Sequence, residues 1–222
     1  LTLSFFTAQC ISIFVSFLYS LRLLKKGANQ LIRPFIIYNT IALLVMLPML
    51  LMVYSRYNLI EIKYSFDFAD TLNNYSLIFG YAFLGIFFIK TTPGVNKSLL
   101  ILIFFFFLLA ILSQLFISKI GRPSYDSFSI NHLAMIIFSL IYLFRVFTKI
   151  ENESILENPV FWINIGVLLC STLCFPIFFF LSYLSKSINS DFQSLWLISN
   201  IRPLGYFFMH LFFIIAFKIS VK

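Results

Sequence analysis

Ile101 to Leu112 read "ILIFFFFLLAIL", twelve residues without one polar side chain. In water such a run would need a large core walled by polar segments, and the chain has few to offer. Of its 222 residues 61% are hydrophobic and 11% charged, with a mean hydropathy of +0.98. Soluble domains carry roughly 25% charged residues, and there is too little polar surface here to cover so much apolar area. Lipid is therefore the solvent for most of this chain, and α-helices satisfy the backbone there. The 31 phenylalanines read as interchangeable lipid-facing bulk rather than as an aromatic ligand site.

A hydrocarbon layer of about 30 Å takes about 20 helical residues at about 1.5 Å each. Working outward from 98–118, seven stretches have that length: 2–23, 33–54, 72–90, 98–118, 130–148, 160–184 and 195–217. The fold class expected is an all-α membrane protein, a single polytopic domain over 1–222. Polar connections with turn signals, such as "KKGANQ", "TTPGVNK", "KIGRPSYDS" and "KIENESILENP", separate the spans. The stretch "EIKYSFDFAD" from Glu61 is too polar to span and reads as a short interfacial element. Residues 1–24 resemble the apolar part of a signal peptide, but the run is long and no small-x-small cleavage site follows, so it reads as a retained helix.

Lys and Arg set the orientation. Ten of them, from Arg22, Lys25 and Lys26 to Lys218 and Lys222, fall on one side of the seven spans. Five, among them Lys63, Lys119 and Lys186, fall on the other. The richer side is cytoplasmic, which puts the N-terminus outside and the C-terminus inside.

The chain also writes one pattern twice. "RPFIIYN" begins at Arg33 and "NPVFWIN" at Asn158, so Pro34 and Asn39 recur as Pro159 and Asn164. An offset of 125 aligns Leu31–Ile89 with Leu156–Ile214 without a gap and gives fourteen identities over 59 positions. Gly80-Tyr81 falls on Gly205-Tyr206, and "YSLR" ending at Arg22 echoes "YLFR" ending at Arg145 with a shift of two. Pro, Gly, Asn and Tyr are not the abundant residues here, which points to duplication. Repeat A covers 1–90, repeat B covers 130–217, and the helix 98–118 connects them. One connecting helix makes these parallel repeats, related by an axis along the membrane normal. Each proline suits the first turn of a helix, where its missing N–H has no partner. Asn39 and Asn164 can then cross-link neighbouring helices.

Several function classes drop out. A net charge of +8 is spread over helix ends and forms no stripe for nucleic acid. Cys10, Cys170 and Cys174 all sit in apolar runs, an odd number that argues against a disulfide framework. Two thiols a turn apart without acid or His neighbours make a poor metal site, and no cofactor is implied. There is no HExxH, no Gly-x-Ser-x-Gly and no phosphate loop. The expectation is a protein that is not an enzyme. A retinal pigment would need a lysine in the middle of the last helix, where only the terminal Lys218 is present.

Arg202 is the candidate with most at stake. It lies about two turns inside the last span, before Pro203 in "NIRPLGY". A charge in hydrocarbon costs at least about 2.5–3.5 kcal/mol, so it needs a partner, a wet cavity or a path to the interface. Asp67, Asp70, Asp126 and Asp191 are on the same side. His210 sits deeper in that helix and His132 near the outer end of the fifth; their different depths argue against a shared metal. Asn200, Asn73, Asn74, Gln9, Gln114 and Trp196 form a polar collar at the outer ends. It reads either as an interfacial belt or as a shallow outward pocket with Arg202 at its base, for a small polar or anionic ligand. The ligand-binding candidates are Arg202, Asn200, Asn39, Asn164 and His210.

Two resemblances follow. The three-one-three arrangement resembles the SWEET and PQ-loop carriers in architecture, although no Pro-Gln occurs and helices one and five lack the hinge prolines of that family. The stretch "ENPVFWINIGVLL", through Asn158-Pro159, Phe161-Trp162 and Gly166, resembles a group of small bacterial seven-helix membrane proteins often encoded near sensor histidine kinases. That resemblance implies a bacterial inner membrane and a non-catalytic sensory or accessory module working on a membrane-bound signalling partner. The alternative is a small-solute transporter with its site between the repeats. The apolar mid-membrane runs favour the first.

Overall fold

In a computed structural model the chain is all-helical, with no strand among the described residues. The structure describes residues 2–25, 33–56, 66–118, 124–149, 155–187 and 192–220, and side chains within 7–22, 34–48, 71–117, 124–148, 155–183 and 202–220. Among the described residues seven α-helices follow one another: α1 Thr2–Lys25, α2 Arg33–Arg56, α3 Phe66–Thr91, α4 Lys97–Ser118, α5 Tyr125–Lys149, α6 Pro159–Ser187 and α7 Phe192–Ile219. A single 3-10 turn, Ile155–Glu157, precedes α6. Five of these helices contain segments long and apolar enough to cross a membrane, namely Thr71–Thr91, Lys97–Ile117, Tyr125–Thr148, Pro159–Tyr183 and Arg202–Ile219.

Helix ends are set by short polar residues. Asn96 and Asn158 accept hydrogen bonds from the amides of Ser98 (3.0 Å) and Val160 (2.9 Å) and so cap α4 and α6. Pro34 and Pro159 both fall in first turns. In the turn from α3 to α4, Gly94 takes φ 62°, and Lys97 donates Nζ to the carbonyls of Ile89 and Thr92, closing the end of α3. Two helices begin earlier than hydropathy alone indicates. α3 starts at Phe66, inside "EIKYSFDFAD", rather than at 72, and α5 starts at Tyr125 rather than at 130. Hydropathy marks the hydrocarbon, whereas hydrogen bonding carries a helix on into the polar layer. At α5 the amide of Ser127 reaches Ser124 Oγ at 3.4 Å. Residues 61–65 of the expected interfacial element lie outside the described residues.

The main helix contacts make a ring. α1 packs on α2, α2 on α3, α3 on α5, α5 on α6, α6 on α7 and α7 back on α1, while α4 packs on α3 and α5 from outside. In the most apolar window of α4 only 22% of residues are buried, against 50% in α6. Leu102, Phe106, Phe116 and Ile117 of α4 are bare, as lipid-facing residues are.

Aromatic rings fill one end of the ring of helices. Phe35 of α2 is fully buried and sits edge-on to Phe83, Phe87, Phe213 and Phe217 at 5.1–5.8 Å. Phe88 of α3 lies parallel to Phe138 of α5. The α6–α7 contact is closest where glycine permits it. A Cβ on Gly166 would stand 2.8 Å from Phe212 Cβ and 3.1 Å from the Met209 carbonyl.

Candidate functional site

Inside the ring of helices lies a cavity of about 70 Å³ to which α1, α2, α3, α5, α6 and α7 all contribute and α4 does not. One water needs about 10–15 Å³ of such space, so several waters or a small ligand fit. Most of its wall is apolar, with Met46, Met135, Met209, Leu77 and Val167 among the lining. The polar groups are Arg202, Tyr206 and His210 from α7, Asn131 and His132 from α5, Asn73 and Ser76 from α3, Cys170 and Ser171 from α6, Tyr38 from α2 and Gln9 from α1.

Arg202 is held from two directions. Its Nη2 donates to Asn73 Oδ1 at 2.7 Å, and its Cζ lies 5.0 Å from the Phe128 ring centre, 5.6 Å from Phe178 and 5.7 Å from Tyr206. Each cation–π contact contributes about 0.5–2 kcal/mol, which offsets part of the cost of a charge at this depth without neutralising it. Among the described residues no carboxylate stands at ion-pair distance from Arg202. Asp126 accepts a hydrogen bond from Ser182 instead, while the side chains of Asp67, Asp70 and Asp191 lie outside the described residues.

His132 shares that aromatic wall. Its ring lies parallel to Phe178 at 5.5 Å and edge-on to Tyr206 at 6.3 Å, and Nδ1 makes a long contact of 3.5 Å with Ser171 Oγ. His132 Nε2, the neighbouring Asn131 Oδ1 and His210 Nδ1 are buried without a hydrogen-bond partner. Leaving a buried polar atom unpaired costs about 1–3 kcal/mol, and three of them border one cavity.

The sequence candidates thus separate. Arg202 and His210 line the cavity, and His132, although placed at a different depth from His210, borders the same space. Asn39 and Asn164 do not line it. Asn39 donates to Ser16 Oγ of α1 at 3.0 Å and Asn164 to the Ser139 carbonyl of α5 at 3.4 Å, so both tie one helix to the one before. The side chains of Asn200 and Trp196 lie outside the described residues. Asn73 and Gln9 of the polar collar do reach the cavity, whereas Asn74 faces an apolar groove between α3 and α4. Asn131, Ser171 and the rings of Phe128, Phe178 and Tyr206 complete the site without having been singled out. Asn131-His132, two adjacent polar residues early in an apolar helix, was the readable sign.

No group of three or more His, Cys, Asp or Glu that could hold a metal occurs among the described residues. The three cysteines are free thiols. Compared with protein-family models, with curated proteins and with solved structures, the chain matches none. Helices of this length and apolarity make it an integral membrane protein.

Proposed function

We propose that the chain is a seven-span sensory or accessory module of a bacterial inner membrane, with its N-terminus outside. In this reading it takes a small polar or anionic ligand between two three-helix repeats and passes the bound state to a membrane partner, such as a sensor kinase, through helix packing. One observation carries the reading: Arg202 faces an internal cavity with no carboxylate among the described residues to neutralise it. An intramembrane charge kept at such cost is a functional feature by default.

Two further observations support the repeat. Ser16 and Ser139 stand 123 residues apart, the same shift that relates "YSLR" to "YLFR". Asn39 binds the first of these residues and Asn164 the second. Exchanging the trios α1–α3 and α5–α7 also turns the α1–α7 contact into the α5–α3 contact, and both are made. The cavity then lies on the axis between the copies.

The packed rings around Phe35 favour a sensor, since they fill the end of the bundle opposite Arg202 with apolar side chains. A transporter is the second reading, and the position of the cavity between the trios favours it. Counterflow of sugars, amino acids and organic anions in vesicles carrying the full chain separates the two. A sensor binds without flux. Robust flux that Arg202→Ala abolishes would overturn the sensor in favour of the carrier.

A further inference from the structure

We infer that the ligand of this cavity is a short α-hydroxy carboxylate, its carboxylate on Arg202 and its hydroxyl on Asn131. The inference rests on reading the cavity as an anion site and goes on to specify the anion. Three rings lie against the Arg202 guanidinium and one N–H group goes to Asn73. The Tyr206 hydroxyl is a further hydrogen-bond partner, and the donors left over from the five N–H groups of a guanidinium suit a flat carboxylate through two parallel hydrogen bonds.

A second polar group is required by α5. Asn131 is 8% exposed and His132 3% exposed, and Oδ1 of the first and Nε2 of the second have no partner. The Asn131 oxygen calls for a donor. An ammonium would supply one, but it would set a second cation beside the half-buried Arg202, whose charge repels it. A hydroxyl donates without that cost and can also engage the His132 ring nitrogen. Arg202 and His132 touch the same two rings, Phe178 and Tyr206, so one small molecule reaches both. Met135, Met209 and Val167 receive a short aliphatic remainder.

The test uses the full chain in lipid nanodiscs, with lactate, propionate, alanine and lactamide as probes and thermal stabilisation and calorimetry as readouts. Lactate should bind about fivefold or more tightly than propionate, because an unpaired buried acceptor costs at least that factor, and more tightly than alanine, because Arg202 repels the ammonium. Lactamide should not bind measurably. Asn131→Leu should bring lactate down to the level of propionate, and Arg202→Gln should remove both. Equal affinity for lactate and propionate in the unaltered protein overturns the hydroxy-acid inference and leaves the anion site standing. Binding of lactamide as tight as lactate, or no binding of any probe, overturns the anion site as well.

Discussion

Arg202 on α7 and Asn73 on α3, 129 residues apart, are joined by a 2.7 Å hydrogen bond from Nη2 to Oδ1 at the edge of the internal cavity. A neutral amide thus holds a charge that no carboxylate among the described residues balances. Such an arrangement is costly to the fold and useful to a ligand.

The two partners should therefore respond oppositely to truncation. Asn73→Leu leaves a half-buried guanidinium without its acceptor and should destabilise the protein by about 1 kcal/mol. Arg202→Met removes the charge itself and should be close to neutral or stabilising, as apolar replacement of buried charge often is. Reversible unfolding in detergent micelles measures both. A loss of several kcal/mol in Arg202→Met would mean that the arginine is a structural brace.

How much of this was readable beforehand follows from what each residue type reports. Arg202 stood out because a charge inside an apolar span is rare in any sequence. Pro34 and Pro159 marked helix entries because proline has few other places in a helix. Phe128 and Phe178, by contrast, were invisible among 31 phenylalanines, since nothing local separates a ring facing lipid from one facing a cation. Asn39 and Asn164 were readable as interhelical ties, yet their grouping with the ligand site required the packing of helices far apart in sequence. Tyr81 and Tyr206, aligned by the repeat, diverge in the fold. The first donates its hydroxyl to the Phe104 carbonyl of α4 at 2.8 Å, while the second stands against Arg202. Their neighbours differ because α4 packs on α3, whereas α7 packs on α6 and α1.

Asn39 and Asn164 give a second prediction. Interhelical hydrogen bonds in membranes contribute about 0.6–1.7 kcal/mol, and the 3.0 Å bond of Asn39 to Ser16 should exceed the 3.4 Å bond of Asn164 to the Ser139 carbonyl. In double-mutant cycles Asn39→Leu should couple to Ser16→Ala. Asn164→Leu should not couple to Ser139→Ala, because its acceptor belongs to the backbone and survives the substitution. Strong coupling in the second cycle would contradict this assignment.

Glycines distinguish tight from loose helix contacts. A Cβ at Gly166 meets Phe212 at 2.8 Å and backbone at 3.1 Å, so Gly166→Ala must push α6 from α7 and should cost about 1–3 kcal/mol. At Gly80 the nearest atom, on Tyr38, is 4.0 Å away, and Gly80→Ala should be neutral or gain up to about 1 kcal/mol from helix propensity. Equal effects at the two positions would show that the α6–α7 contact is looser than the backbone approach requires.

The rings around Phe35 decide between sensor and carrier. Phe35 is fully buried and meets four phenylalanines from α3 and α7 within 5.8 Å. Truncating such a ring removes buried area and leaves a hole, a loss of about 3–5 kcal/mol. Phe35→Leu keeps most of the volume and should cost less, about 1–2 kcal/mol on the same grounds. In a carrier these rings must part during each cycle, so loosening them would change the rate at which solute crosses. In a sensor they are a fixed floor beneath the ligand, and Phe35→Leu should leave ligand affinity intact and vesicles tight. Lactate binding and solute leak measured on the same Phe35→Leu vesicles give the answer. Unchanged affinity without leak fits the floor, and a flux that appears or accelerates in this variant shows that the rings are a gate.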